Sequence, residues 1–260
     1  MVQAEILAIG DELCYGRVYD TNSFWLADQV TRLGVIVTRI TCVRDDVDAI
    51  HDILTDMLKR RTQLVFITGG LGPTEDDKTL DVLSRLTGRR IVVDKNVVDT
   101  IAKRRNLNAS QLPPHFLKMA STIEGAECFP NPVGLAPLTI LRMGETTIFA
   151  MPGPPKEVQG CFTTYLVKEV GNVTHYHSIA KRVLTTMFES EVAPLISQIQ
   201  KKIPGIYVKP LVGEYVANVG LPAEIVVFDN DEMACQKKYR ETLSMLTELV
   251  RQKGKDVKEV

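Results

Sequence analysis

Three short apolar runs, AEILAI (4–9), VIVTRITCV (35–43) and QLVFIT (63–68), are separated by helical segments. No other feature of the chain restricts its fold as strongly. Runs this short, rich in β-branched residues and closed by turn formers, read as buried strands. Asp20-Thr21-Asn22-Ser23 offers helix caps before FWLADQVTRL, and both AIHDILTDMLKR (49–60) and TLDVLSRL (79–86) carry apolar residues at helical spacing. Strand and helix in alternation imply right-handed crossovers and a mostly parallel sheet covered on both faces.

The texture changes after two more helical stretches, 95–106 and 111–120. PLTILRMGETTIFAMPGPP reads as a hairpin with strands at 138–142 and 146–150, followed by a helix from Pro155 to Val170. Residues 171–174 form a joint. Beyond it the pattern is strand 176–187, helix 189–202, strands 206–210 and 222–228, and helix 231–252. The expected fold is α/β: a three-layer, mostly parallel sheet over 1–170 with a small C-terminal α+β domain over 175–260.

The totals exclude several classes. The net charge of the 260 residues is −1, so nothing electrostatic favours nucleic acid or an anionic membrane as partner. No apolar run approaches the roughly 18 residues of a membrane span, and MVQAEILAIGDE lacks the basic start of a signal peptide. The five cysteines are scattered, odd in number and without a CxxC pair, which fits reduced thiols in the cytoplasm. No histidine (51, 115, 175 or 177) has metal-ligand spacing.

Open parallel sheets bind ligands beyond the carboxyl ends of their strands. The first strand ends in Gly10-Asp11-Glu12 and the third in ITGGLGPTEDDKT, residues 67–79. Gly69, Gly70 and Gly72 allow close backbone approach to an anion, and a helix start near Asp76 adds partial positive charge. Pro73 and Thr74 complete the turn. The structural alternative is a capping box, with Thr74 as cap and Asp77 three residues on. Glu75, Asp76 and Asp77 together exceed that need. Oxygen donors from adjacent strand ends suit Mg²⁺ or Mn²⁺, which would bridge acids to phosphate. Asp20, Asn22, Asp45 and Asp46 read as caps or as neighbours of the same crevice. The turns Asn131-Pro132-Val133-Gly134-Leu135-Ala136-Pro137 and Met151-Pro152-Gly153-Pro154-Pro155 are rigid candidates for its walls.

AEILAIGDEL, DTNS, VFITGGLGPTEDDKT, NPVGLAP and MPGPPKE in combination resemble the CinA N-terminal family, within the molybdopterin-binding superfamily that includes MogA and MoeA. The resemblance spans residues 3–170, and FESEVAPLI resembles the KH-like middle domain of CinA proteins. It implies functional roles for Asp77, followed by Thr79, and for Asp45. It also implies metal-dependent cleavage of ADP-ribose or FAD at the pyrophosphate. The chain ends where longer relatives continue into a nicotinamide-nucleotide amidohydrolase domain, so that activity is not expected.

The leading expectation is a nucleotide-diphosphate hydrolase releasing AMP. Asp11, Glu12 and Asp77 would hold a divalent metal (Mg, Mn or Co, with K as a further ion), and Asp77, Asp76 and Glu12 would be catalytic. The N–H groups of 69–74, with Asp45, Asn131, Gly134, Pro152 and Gly153, would bind substrate. The alternative uses the same pocket for a pterin, as a molybdopterin-binding or adenylyltransferase-like protein of molybdenum cofactor biosynthesis. An RNA adaptor is disfavoured: residues 175–260 hold no GXXG loop and only 12 Lys+Arg against 11 Asp+Glu. A homo-oligomer, dimer or trimer, is the expected assembly.

Overall fold

The computed structural model describes residues 1–217 and 219–260. They divide into two compact units: Val2–Val30 with Val35–Val173, and Thr174–Val260 with Met1 and Thr31–Gly34.

In the larger unit, β1 (Gln3–Ile9) leads into a short helix α1 (Asp11–Cys14), then α2 (Thr21–Arg32), β2 (Ile36–Val43), α3 (Val47–Lys59) and β3 (Leu64–Thr68). Next come α4 (Thr79–Thr87), β4 (Ile91–Val93), α5 (Lys95–Arg105), α6 (Pro114–Met119), β5 (Ser121–Ile123) and β6 (Glu127–Phe129). The hairpin β7 (Leu138–Met143) and β8 (Thr146–Met151) precedes α7 (Pro155–Cys161), which passes through a π-helical turn at Phe162–Leu166 into α8 (Val167–Val173).

Six strands form one sheet in the order β2-β1-β3-β8-β7-β6. β2, β1, β3 and β8 are parallel, and β7 and β6 complete the sheet antiparallel. The mostly parallel α/β sheet expected from the alternation is present. The chain goes from β1 out to β2 and then back across to β3, so the strand order reverses between β1 and β3. Ile9 pairs with Val43, Ala8 with Thr68, and Thr68 with Met151. The turns after β1, β3 and β8 therefore emerge side by side.

Both faces of β3 are buried. Val65 and Ile67 pack with Ile50, Leu54 and Met57 of α3 and Val82 and Leu83 of α4. Phe66 stacks on Phe149 at 5.0 Å on the other face, with Phe162 and Trp25 beyond. The amino end of the sheet is tied by polar groups. Glu5, 1% exposed, accepts two bonds from Arg60 (2.9 and 2.7 Å) and one from Thr62 Oγ1, while Thr146 Oγ1 donates to the Thr62 carbonyl at 2.7 Å. Burial pushes the Glu5 carboxyl up, but the bonds from Arg60 and Thr62 and the charges of Arg60 and Arg39 outweigh it and hold it low.

Three-residue strands escape a periodicity reading. β4 pairs with β5 in a separate ribbon and β6 extends the main sheet, within segments read as connections. The helix expected over 111–120 is only Pro114–Met119, since Pro113-Pro114 sets its start.

The smaller unit comprises β9 (His177–Thr185), α9 (Glu189–Lys202), β10 (Ile206–Pro210), β11 (Leu221–Asp229), α10 (Glu232–Arg251) and β12 (Val257–Glu259). Its antiparallel sheet runs β10-β11-β9-β12, so β12 adds a strand to the expected α+β pattern. Val183, Ile196, Ile225, Leu246 and Val250 lie in its core.

Candidate functional site

A cleft of about 450 Å³ opens at the carboxyl ends of β1, β3 and β8. Of the residues singled out from sequence, Asp11, Glu12, Asp45, Gly69, Gly70, Gly72, Pro73, Thr74, Asp76, Asp77, Pro152 and Gly153 line it. Asn131 and Gly134 do not; they stand behind Glu157, which does.

The glycine turn is tightly built. At Gly69 φ is 98°, and a Cβ there would lie 2.2 Å from the Ile9 carbonyl oxygen of the neighbouring strand. At Gly70 φ is 67°, and a Cβ would meet Thr79 Oγ1 at 2.3 Å. Buried Thr79 closes the turn by donating Oγ1–H to the Gly69 carbonyl (2.8 Å) and N–H to the Gly70 carbonyl (3.1 Å). Only glycine satisfies both the left-handed conformation and the close approach.

Asp77 resolves why acids follow this turn. Its Oδ1 accepts the Gly72 N–H at 2.7 Å, and its Oδ2 accepts the Thr74 N–H and hydroxyl at 2.8 and 2.7 Å. The carboxylate is the turn's own internal anion. This corrects two expectations. The capping box on Thr74 and the helix start near Asp76 are not formed, because α4 begins at Thr79 with Lys78 at its cap position. The phosphate cradle over 69–74 is also smaller. Gly69 N–H goes to the Met151 carbonyl, Gly72 and Thr74 are spent on Asp77, and proline has no N–H. Gly70 and Leu71 alone keep N–H groups without an acceptor among the described residues. Lys118 of α6, which no sequence signal marked, braces the turn by donating to the Thr74 and Asp77 carbonyl oxygens.

On the β1 side, the Asp11 N–H donates to Asp45 Oδ2 at 2.8 Å, and Arg44 grips both Asp11 oxygens at 2.9 and 3.2 Å. The Arg44 guanidinium holds the Asp11 carboxyl below its usual range. Asp45 is pushed the other way by burial, with the charges of Asp11, Glu12 and Asp77 adding to the effect.

The expected metal set, Asp11, Glu12 and Asp77, is not assembled. Among the described residues no three His, Cys, Asp or Glu side chains are grouped to hold a metal ion. The physical reason is prior engagement: Asp11 is committed to Arg44 and Asp77 to loop N–H groups. Asp76 is exposed, with no bond to the turn.

Glu157, in the first turn of α7, is the residue that sequence reasoning missed. Asn131 Nδ2 donates to it at 2.6 Å and to the Ala136 carbonyl at 2.9 Å, while Asn131 Oδ1 accepts the N–H groups of Val133 and Gly134. A Cβ on Gly134 would sit 2.0 Å from Glu157 Oε2, so a larger residue there would displace the Glu157 carboxylate. Burial raises the Glu157 carboxyl, opposed by the Asn131 bond and the Arg104 charge. Its signal was present in MPGPPKE, but an acid in a first helical turn looks like ordinary dipole complementation. Asp20 and Asp46 cap α2 and α3 as expected, and Asn22 donates to the Gly153 carbonyl at 2.7 Å, tying α2 to the cleft wall.

A parallel sheet with its cleft at the strand-order reversal defines the class, and residues 5–172 match the family model described as "Probable molybdopterin binding domain". The chain belongs to this family, and within it stands with the CinA-like proteins. The solved structure of the protein CinA from Thermoplasma acidophilum is 31% identical, with a TM-score of 0.60 over 65% of this chain and 97% of that one. Protein Ta0487 of the same organism is 32% identical over 260 residues, 99% of this chain and 100% of that protein. A CinA-like protein of Thermosipho melanesiensis is 37% identical over 162 residues, 62% of this chain but 40% of that longer protein. No helix among the described residues is long and apolar enough to cross a membrane.

Proposed function

We propose that the cleft binds a small phosphorylated heterocycle of the pterin or nucleotide class. One observation carries this reading. The same cleft is lined by Gly70 and Leu71, whose successive N–H groups have no acceptor among the described residues, and by a half-buried carboxyl, Glu157, with a single side-chain donor. The first pair suits a phosphate oxygen. The second suits the amino and ring N–H edge of a pterin or purine, because a partly desolvated carboxylate gains from charge-assisted donors. The family match supports the pterin member of this class.

A second reading is the metal-dependent hydrolysis of a nucleotide diphosphate with release of AMP. The lining of one cleft by Asp11, Glu12, Asp45, Asp76 and Asp77 favours it, since a cation brought in with the ligand would offset their negative charge.

Calorimetric titration with a phosphorylated pterin and with ADP-ribose, each with and without Mg²⁺, Mn²⁺ or Co²⁺, tests both readings. Saturable binding that weakens about tenfold in Glu157→Gln supports the site as assigned. Chromatography of the same mixtures for AMP decides the second reading. Binding of neither compound under any condition would sink the proposal.

A further inference from the structure

Two cysteines lie outside the cleft lining and have no part in the ligand reading. Cys14 is the last residue of α1, and Cys42 lies near the end of β2, the edge strand of the sheet. Their sulfur atoms are 3.6 Å apart, and both side chains are exposed. No other thiol pair among the described residues is this close. A disulfide holds its sulfurs about 2.05 Å apart, so closure needs a movement of about 1.5 Å, within reach of side-chain rotation.

We propose that Cys14 and Cys42 are a redox modification site that closes reversibly into a disulfide and pins α1 to β2. The oxidant is a low-molecular-weight disulfide of the glutathione class. The Cys14 thiolate attacks it, forming a mixed disulfide and releasing one small thiol. The Cys42 thiolate then attacks the Cys14 sulfur and expels the second small thiol. The protein loses two protons and two electrons, and the small disulfide is reduced to two thiols. Partial desolvation on its inner side, the adjoining Cys14 thiol and the charges of Asp20 and Glu12 push the exposed Cys42 up to about 12. The first attack is therefore assigned to Cys14, and Cys42 is the resolving thiol.

The bond acts on the fold at a sensitive place. Cys42 precedes Val43, whose carbonyl accepts the Gly10 N–H, and Arg44, which grips Asp11. Closing it restrains the Gly10-Asp11-Glu12 segment. An effect on ligand binding rests on the proposed function; the bond itself does not.

The test is to treat the folded, full-length chain with oxidised glutathione and map non-reduced peptides by mass spectrometry. The expected product is one crosslink joining the peptides of Cys14 and Cys42, with loss of two hydrogen atoms per chain. Cys42→Ser should trap glutathione on Cys14, while Cys14→Ser should block the crosslink. Amide exchange of residues 10–16 should slow in the oxidised chain and recover on reduction. Stable glutathione adducts on the unmodified chain, a different crosslink, no reaction at either thiol, or unchanged exchange would each overturn the proposal. None of these readouts uses a ligand, so their failure leaves the proposed function standing, and its failure leaves them standing.

Discussion

The two ends of the six-stranded sheet carry cavities of similar volume, about 460 Å³ at the amino end and about 450 Å³ at the carboxyl end, but are built on opposite terms. The amino-end cavity is lined by Arg61, Arg89 and Arg142 with Glu145, and ion pairs tie the strands beside it. Glu5 is enclosed by Arg60 and Thr62, and Arg142 pairs with Glu127 and Glu169 at 2.8 and 2.9 Å. At the carboxyl end six acids, Asp11, Glu12, Asp45, Asp76, Asp77 and Glu157, line the cleft, and no basic residue does. The carboxyl shifts follow: Glu5 is held low by its partners, while Asp45 and Glu157 are held high by burial. One end uses charge to hold the sheet together. The other leaves the burial of Asp45 and Glu157 without a full offset, a feature that clusters at functional sites.

Substitutions can break this contrast. Glu5→Ala should cost the most stability, about 3 kcal/mol, because it leaves Arg60 and Thr62 facing a vacated buried site. Urea unfolding measures that loss, and ligand affinity at the far end should weaken with it, because the Glu5 bonds set the level of the turns there. Gly69→Ala should cost about 2–3 kcal/mol through the clash with the Ile9 carbonyl, and it should also impair binding. Asp77→Asn should cost about 1–2 kcal/mol, because an amide cannot accept the Gly72 and Thr74 donors on both sides. Parent-like thermal melting of Asp77→Asn would overturn the internal-anion role. Glu157→Gln should stay within about 0.5 kcal/mol of the parent while losing affinity, which separates it from Asp77. Arg61, left-handed at φ 56°, gives the one gain: Arg61→Gly should stabilise by up to about 1 kcal/mol.

pH sharpens the same comparison. Glu5 has a lowered folded pKa, so its contribution is present above the ordinary carboxylate value, about 4.3, and is lost as pH falls toward the folded value. Glu157 has a raised folded pKa, so the folded chain holds its proton more tightly and stability declines as pH rises from the ordinary value toward the folded one. Glu157→Gln should therefore gain on the parent as pH climbs above about 4, and Glu5→Gln should lose on it over the lower range. Denaturant midpoints at several pH values read both slopes.

Much of the scaffold was legible. β1, β2 and β3 announce themselves because buried parallel strands are apolar throughout, and the glycines of 69–72 mark where the backbone must pass close to its neighbours. The short strands were not, since a run such as Glu127–Phe129 offers no period to read. A cleft lies at the strand ends that the sequence points to, but the roles of its acids are not in the spacing. Asp77 reaches back five residues to Gly72, and Glu157 meets Asn131 across 26 positions. Only tertiary geometry distinguishes a carboxylate consumed by its own loop from one left toward a ligand.

Glu5 also acts as a ruler. It is the third residue of β1, and its fixed bonds to Arg60 and Thr62, just before β3, set how far each strand travels before it leaves the sheet. A slip of one residue would turn Glu5 to the opposite face and carry Gly10 out of level with Gly69. The alignment of the cleft-lining turns is thus measured out from the far side of the domain. A change there would blur the cleft without touching any residue that lines it.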